Sequence, residues 1–511
     1  EGYFEGTSYD ANSFFISLEK KLSQNQSLNL TGIYTPNSRA KNSPNTAEVT
    51  ELTTVKYNSY WGFQDGKKRN ARMKTIEMPT FMLNHYFKIN DKTNLNSSAT
   101  YQFGKIANSN IDYQNANSPD PAYYRKMPSY YSSLYAKDSG EFSGAFTPDY
   151  ENAEKSRISF LANSQIDWNA IYKANQTPVL DSNGSISGYE PKKSKYVLYQ
   201  DQVEDETAVI NTNLTSQLSE NIFLNAGASF KKLKSHYSQH LLDLLGGLYF
   251  DDIDPFYKGR LSQSDLNNPD RQVVVGDTYG YNYNYLATII EAFTQFKFTY
   301  NKVDFYLGQQ FSTRDYQREG LYRNGIYENN SFGKSEKVTF ENFGFKAGLN
   351  LKISGKQLVT FNAAHLTKAP TLRNTFPNSR LNNLIVDGLE SENINSIDLS
   401  YVYRSPKLKG RLTTYYSLIK NVTQISFFYA EGIFDDGAGY LNTDAFVSQT
   451  LTKLNKKNIG AELSLEYQLS STFKTTFSGA FGDYTYASNP QVSLTNDAKA
   501  SVENTNPVFD F

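Results

Sequence analysis

The chain has 511 residues, 51 basic against 52 acidic side chains for a formal charge of −1, no cysteine, 39 Tyr and 34 Phe. Without cysteine there is no disulfide, thiolate metal site or Cys nucleophile, and a near-neutral surface argues against a nucleic-acid partner, which demands basic groups opposite the phosphates. No run of 18 apolar residues occurs, which excludes transmembrane helices, and the wealth of aromatic and β-branched residues argues against disorder.

The amino terminus, Glu1-Gly2-Tyr3-Phe4-Glu5-Gly6, carries neither a basic region nor an apolar core. It is read as the start of a processed chain or of an internal piece. Composition barely shifts from there to Phe511, so residues 1–511 are read as one domain. Along it a motif recurs about seven times: two alternating runs joined by a short polar turn. The first sets Phe14, Ile16 and Leu18 against Leu28, Leu30 and Tyr34 around 23–26. The second sets Phe81, Leu83 and Phe87 against Leu95, Ala99, Tyr101 and Phe103 around 90–92. The third runs from Ile210, Leu214 and Leu218 through 219–221 to Ile222, Leu224, Ala226, Ala228 and Phe230. The fourth has Ile290, Phe296 and Phe298, then Val303, Phe305, Leu307 and Phe311 after Asn301-Lys302. The fifth turns at 354–356 between Phe343, Phe345, Leu349 and Leu351 and Val359, Phe361 and Ala363. The sixth joins Ile397, Leu399, Tyr401 and Tyr403 to Leu412, Tyr416 and Leu418 through Ser405-Pro406, and the seventh pairs Ile459, Ala461, Leu463 and Leu465 with Phe473, Phe477 and Phe481. Period two over such lengths means strands with one apolar and one polar face.

The connections are unequal. One side has turns of about two to four residues; the other has gaps at 36–78, 105–195, 233–284, 316–337, 367–392 and 420–456. Runs of about ten residues match the roughly 9–11 tilted residues that cross a bilayer, where only helices and closed barrels keep the backbone paired. Short turns at one end and long loops at the other are characteristic of outer-membrane barrels. Glu19, Glu291, Lys297, Asp304, Lys346, Asp398, Arg411, Glu462, Glu466 and Lys474 interleave with the apolar positions. A dry sandwich core would not accept so many charges; a wet or plugged lumen would, and so would an open sheet facing bulk water. Seven hairpins without a partner layer would expose too much apolar surface for the latter. The expected fold is an all-β, transmembrane antiparallel barrel of about 14–16 strands with long extracellular loops and periplasmic turns. Glu19, Glu291, Asp304, Lys346, Asp398, Arg411, Glu462 and Glu466 are expected to line its lumen. Aromatics near strand ends, among them Tyr34, Tyr101, Phe103, Phe298, Tyr300, Tyr403 and Tyr467, suit the interfacial girdles.

Two loop stretches mix aromatics with polar groups that could stack on and hydrogen-bond a ligand. They supply the candidates Tyr57, Tyr60 and Trp61, and Tyr123, Tyr124, Arg125, Tyr130 and Tyr131. The competing reading is that these residues pack the loops together as a lid. Segment 155–175 has helical character, with Phe160, Leu161, Ile171 and Tyr172 as its packing face. The acidic group Asp251, Asp252 and Asp254 is the one candidate for bound Ca²⁺, though it lacks the glycine and terminal glutamate of a helix–loop–helix calcium loop; Glu431 with Asp435-Asp436 carries the same low weight. No other cofactor is expected. His236 and His240 are read as solvated loop histidines. Nucleophile-elbow, P-loop and dinucleotide fingerprints are missing, so no enzyme is expected.

Three stretches resemble the TonB-dependent outer-membrane receptors of the Bacteroidota, of the type with a carboxypeptidase-like regulatory domain. They are Gly6-Thr7-Ser8-Tyr9-Asp10-Ala11-Asn12-Ser13-Phe14-Phe15; Tyr57-Asn58-Ser59-Tyr60-Trp61-Gly62; and Ala369-Pro370-Thr371-Leu372-Arg373-Asn374-Thr375-Phe376-Pro377-Asn378-Ser379-Arg380 with Gly388-Leu389-Glu390-Ser391-Glu392. The resemblance implies a 22-stranded barrel around an amino-terminal plug whose TonB box recruits the inner-membrane energy complex. Here no plug precedes Glu1, and Pro507 interrupts any strand ending at Phe511, so the chain is read as the partial barrel of a larger receptor. The implied function is energy-coupled import of a scarce or bulky ligand. The alternative is a receptor-like barrel serving as a structural subunit of an outer-membrane assembly or secretion complex; a passive porin would need shorter loops. The partners these readings imply are outer-membrane lipid and lipopolysaccharide, TonB through the plug, and a surface lipoprotein or other complex subunit.

Overall fold

A computed structural model describes residues 2–132, 148–435, 441–496 and 508–510, with side chains over 2–132, 148–429 and 447–495. Glu431, the Asp435-Asp436 pair and Phe511 fall outside those side chains. Fourteen long strands organise the chain: β1 Phe14–Ser23, β2 Gln26–Tyr34, β3 Thr80–Asn90, β4 Thr93–Asp112, β5 Val197–Gln217, β6 Ile222–Asp243, β7 Thr278–Thr299, β8 Val303–Gly320, β9 Val338–Ser354, β10 Gln357–Lys368, β11 Glu392–Arg404, β12 Leu408–Asp435, β13 Leu441–Gln468 and β14 Lys474–Tyr486. Each pairs antiparallel with its sequence neighbours, so the chain is one continuous meander. Among the described residues β1 and β14 pair on one side only and not with each other. No described helix is long and apolar enough to cross a membrane.

All seven short turns lie where the alternation breaks. Their chemistry is local: a Ser or Asn side chain at the strand end accepts the backbone N–H two residues on, as in Asn25 to Ser23 (3.2 Å), Lys92 to Asn90 (2.9 Å), Lys356 to Ser354 (3.3 Å) and Thr472 to Ser470 (3.3 Å).

Register makes the two faces explicit. Glu19, Asn29, Asn84, Ser98, Asn211, Ser229, Glu291, Ser312 and Asn342 are successive cross-strand partners from β1 to β9, and every one is polar. One residue along, the row reads Leu18, Leu30, Leu83, Ala99, Ile210, Phe230 and Ile290. These apolar side chains have no protein layer over them: Leu18 and Ile210 are each 60% exposed, and Leu307 53%. A continuous apolar face of this kind belongs against hydrocarbon. Its upper limit is marked strand by strand by the first charged side chain or histidine on the same face: Lys105, Glu206, Lys232, Glu341, His365, Lys420, Lys457 and Asp483. On β6 the belt runs from Ile222 to Phe230, about 26 Å along the strand at roughly 3.3 Å per residue. Tilted by about 35–45°, that spans about 19–22 Å, most of the roughly 25 Å of an outer-membrane apolar band. Stacked rings sit at its margins, including Phe298 on Phe305 (4.5 Å) and Tyr101 on Phe103 (5.4 Å).

The strands depart from the sequence reading in length. β4 to β9 run 17–22 residues, far beyond the belt, because above it the outward positions become polar and the alternation fades while pairing continues. The expected loop at 420–456 is mostly strand: β12 and β13 pair past Val422↔Leu454 to Phe434↔Thr443. Register shifts there, with Asn421 and Lys453 at φ 59° and 56°, flip the phase and hide the pattern. His236 and His240 lie on β6, not in a loop, hydrogen-bonded to Asn282 (2.7 Å) and Ser238 (3.0 Å).

On the polar face, rings lie over glycines. A Cβ at Gly348 would come within 2.1 Å of the Tyr306 ring, whose hydroxyl donates to Asn362 (3.1 Å), which in turn donates to Asp398 (3.0 Å). Gly348→Ala is therefore expected to destabilise the sheet by about 1–3 kcal/mol through overpacking, read as a lowered denaturant midpoint. An unchanged midpoint would show that Tyr306 moves aside without cost.

Candidate ligand-binding face

Buried apolar clusters gather at the loop end of the sheet. The second long connection carries α1 Tyr150–Ala162 and α2 Trp168–Ala174, each capped by an Asp side chain: Asp149 accepts from Asn152 and Asp167 from Ala170. Trp168, Ile166, Ile171, Ala71, Ile111 and Leu245 form one core across three connections. Asn175, fully buried, donates to the carbonyls of Tyr196 (2.7 Å), Leu244 (3.0 Å) and Leu245 (3.0 Å), fastening the second connection to the third. Of the expected helical packing face, Phe160 and Ile171 are buried and Tyr172 packs at the rim of a core, while Leu161 points outward at 45% exposure.

The loop candidates separate into two groups. Tyr57 and Trp61 are 3% and 5% exposed. Tyr57 packs with Val49, Met127 and Phe160, and its hydroxyl donates to the Ser164 carbonyl (2.7 Å); burial pushes that hydroxyl well above the usual phenol range. Both side chains pack inside the loops, the arrangement the competing lid reading expects. Tyr60 is half-buried beneath Arg72 (4.7 Å). Tyr123, Tyr124, Tyr130 and Tyr131 instead form an edge-to-face chain with centroids 4.8, 5.7 and 5.3 Å apart, and Arg125 donates to the Tyr124 hydroxyl (2.8 Å). That chain is partly exposed.

The eight charged candidates all fall on the polar face. Glu291 pairs with Arg314 (2.7 Å), Asp304 with Lys352 (2.7 Å), and Glu466 with Lys409 (2.9 Å) and Lys474 (3.1 Å). Asp398 accepts from Asn362, Arg411 donates to Thr413 (3.1 Å), and Lys346 lies over Tyr306 (5.9 Å). Glu19 and Glu462 are exposed on the same face. The acidic trio is dispersed: Asp251 pairs with Lys193, Asp252 is held by Arg271 (3.1 Å) and the Gly280 N–H (2.8 Å), and Asp254 accepts from the Phe256 N–H (3.0 Å). Burial raises the Asp254 carboxyl, which works against the charge a cation would require. Among the described residues no group of three His, Cys, Asp or Glu is placed to hold a metal.

A larger feature went unread in the sequence. Tyr279-Gly280-Tyr281-Asn282-Tyr283-Asn284-Tyr285 is β7 above the belt, and its tyrosines turn to the polar face. Tyr281 donates to Asp201 (2.6 Å), Tyr279 to Asp112 (3.1 Å), and Tyr283 stacks on Tyr237 (5.1 Å, 7°). The fifth connection, residues 369–391, packs onto this wall: Phe376 meets Tyr285 (5.5 Å), and Ala369 with Leu372 and Leu389 covers Ala287, Tyr316 and Phe340. Arg318 pins it. This side chain is 1% exposed, and no described carboxylate pairs with it. It lies over Tyr283 (5.0 Å) and donates to the carbonyls of Ser379 (2.7 Å) and Ser331 (3.0 Å) and to the Asn383 side chain. Next in sequence to Ser379, Arg380 has a side chain 59% exposed, its guanidinium 4.6 Å from the Tyr281 ring and 3.5 Å from Asp201. Tyrosines at every second position, in phase with the charges, were the available signal.

Solved structures share this architecture. The copper transporter OprC superposes with a TM-score of 0.56 at 10% identity, over 95% of this chain and 56% of its own. FpvAI, from its complex with pyocin S2, gives 0.51 at 10% identity, over 97% and 54%. The ferripyoverdine receptor of the outer membrane of Pseudomonas aeruginosa, bound to ferripyoverdine, gives 0.51 at 10% identity, over 97% and 53%. This chain thus spans about half the length of the solved structures it matches. They are receptors and transporters, not enzymes, and at this identity the likeness is one of fold. No family model and no curated protein matches the sequence.

Proposed function

We propose that the chain forms the barrel wall and loop vestibule of a TonB-dependent outer-membrane importer, with its loops outside the cell and its short turns in the periplasm. The single observation that carries this reading is Arg380, whose side chain stays 59% exposed on the connection 369–391 where that loop covers the buried Tyr281 and Tyr283 of the polar face. A guanidinium seated on an aromatic ring and held by a single long contact to one carboxylate suits an anionic ligand, bound through charge-assisted hydrogen bonds. A metal chelate with carboxylate or phenolate donors has that chemistry, and the solved relatives named for copper and ferripyoverdine support the class. The three segments resembling receptors of the Bacteroidota support the energy-coupled mode: the ligand docks at Arg380, and rearrangement of a plug admits it along the charged face.

Arg380→Ala in the full-length protein should cut energised uptake of radio-iron from spent-medium chelates at least tenfold. A charge-assisted hydrogen bond is worth about 1.5–3 kcal/mol, and about 1.4 kcal/mol is tenfold in affinity. Lys457→Gln, at the belt margin on the opposite face, should leave uptake unchanged. Uptake unaffected by Arg380→Ala, or uptake that persists after the proton-motive force is collapsed, would count against the proposal.

A further inference from the structure

Just above the apolar belt, the lipid side of the sheet carries a groove of about 560 Å³ whose lining includes Tyr101, Glu206, Lys232, Lys234, Asp315 and Lys337. Register explains its shape. One cross-strand row reads Tyr101, Ala208, Lys232, Thr288 and Asp315, and the next above it Phe103, Glu206, Lys234, Leu286 and Gln317. Small side chains at Ala208 and Thr288 leave a hollow between the Tyr101 ring on one side and the Asp315–Lys337 pair on the other. The row directly below is Ala99, Ile210, Phe230 and Ile290, the margin of the belt itself.

The charges in the hollow are not equally committed. Asp315 is taken by Lys337 (3.1 Å) and by the Thr339 hydroxyl (2.7 Å). Lys105, next on the neighbouring strand, pairs with Glu77 (3.4 Å). Lys232 and Lys234 are exposed, and neither has an ion pair among the described residues. Glu206 opposes Lys234 in register without closing a salt bridge. Two ammonium groups two residues apart on one strand therefore project side by side at the height where lipid headgroups meet the belt, with Glu206 the one groove carboxylate that has no ion pair among the described residues.

We infer that this groove binds a phosphorylated lipid of the surrounding leaflet, its phosphate between the Lys232 and Lys234 ammonium groups and its acyl chains running down over Ile210, Phe230 and Ile290. Continuity with the belt selects a lipid over a free anion: the hollow opens directly onto the hydrocarbon-facing row, where inorganic phosphate would gain nothing. The position of the lysines selects a phosphate-bearing headgroup over a neutral one, since a basic residue near a lipid surface contributes its attraction only when the headgroup is anionic. The inference rests on the reading of the apolar face as membrane-facing and of the loop side as the outer leaflet.

The test uses full-length protein in detergent micelles, titrated in native mass spectrometry with bisphosphorylated lipid A, with the same lipid after phosphatase treatment, and with inorganic phosphate. Wild type should bind the bisphosphorylated lipid about tenfold more tightly than the dephosphorylated one, and Lys232→Gln/Lys234→Gln should remove that preference. Lys457→Gln, a belt-margin lysine on β13, should retain it. Heat-modifiable migration and radio-iron uptake of the double variant should match wild type, which separates the lipid site from folding and import. Equal affinity of wild type for the two lipids, a preference that survives the double substitution, or displacement of the lipid by inorganic phosphate at comparable concentration would each overturn the inference. Failure of wild type to insert into liposomes would overturn the membrane reading beneath it instead.

Discussion

Replacing Arg318 by Met should free the connection 369–391 from the wall while leaving the strands paired. Met matches the apolar stem of Arg, so the change removes mainly the guanidinium, its stacking on the Tyr283 ring included. What it leaves behind are the Ser379 and Ser331 carbonyls and the Asn383 side chain, deprived of their buried donor. Hydrogen bonds to a charged group are worth about 1.5–3 kcal/mol each. A local loss of about 3 kcal/mol corresponds to roughly a hundredfold rise in opening. The amides of Asn383 and Val386, which donate to Asn330 (2.8 Å) and Thr375 (3.0 Å), report it directly. Their hydrogen exchange should accelerate by about that factor, while amides within β7 and β8 keep wild-type protection. Unchanged exchange at both sites would show that the loop is held by its apolar contacts on Tyr285 and Phe340 alone. Because Arg380 follows Ser379 directly, the same variant should also weaken ligand capture, linking the buried anchor to the exposed cation beside it.

The second large effect concerns the apolar face. Leu307, 53% exposed, sits mid-belt on β8 between Phe305 and Phe311. Leu307→Arg should cost about 2–4 kcal/mol, the depth-dependent penalty for a cation on the lipid side of a barrel near the bilayer midplane. Gln310→Arg, three residues along and on the polar face, should fall within about 0.5 kcal/mol of wild type, as surface substitutions usually do. Reversible unfolding from liposomes in guanidinium measures both. Similar values for the two variants would mean that both faces meet water.

How much of this was legible in the sequence depends on height along the strands. Within the belt, Leu, Ile and Phe alternate with Asn, Ser and Glu, and Ser23, Asn90, Ser354 and Ser470 supply the turn chemistry, so the hairpins could be placed to within a residue or two. Above the belt the outward residues become Lys232, Lys234 and His236, polarity no longer alternates, and the pairing of β6 up to Asp243 left no pattern to read. At Asn421 and Lys453 the bulges invert the phase, which turned a long hairpin into an apparent loop. The loops posed a different difficulty. Aromatic-rich composition is shared by ligand contacts and packing cores; Tyr57 and Trp61 turned out to be the latter, and burial, which composition does not encode, decides between them. The tyrosines at 279–285 and the pairing of Arg318 with a loop some 60 residues later are long-range arrangements that emerge only once the strands are in register.

The central claim is that odd positions of β8 face hydrocarbon and even positions face a polar interior. The chain has no cysteine, so single cysteines introduced at successive positions from Val303 to Ser312 can each carry a nitroxide without background. In liposomes, collision with lipid-soluble oxygen against collision with a water-soluble nickel chelate reports the surroundings of each label. The account predicts two curves of period two in antiphase, oxygen highest at Phe305, Leu307, Gln309 and Phe311 and nickel highest at Asp304, Tyr306, Gln310 and Ser312. Curves that rise and fall together, or nickel access as high at Leu307 as at Gln310, would contradict it.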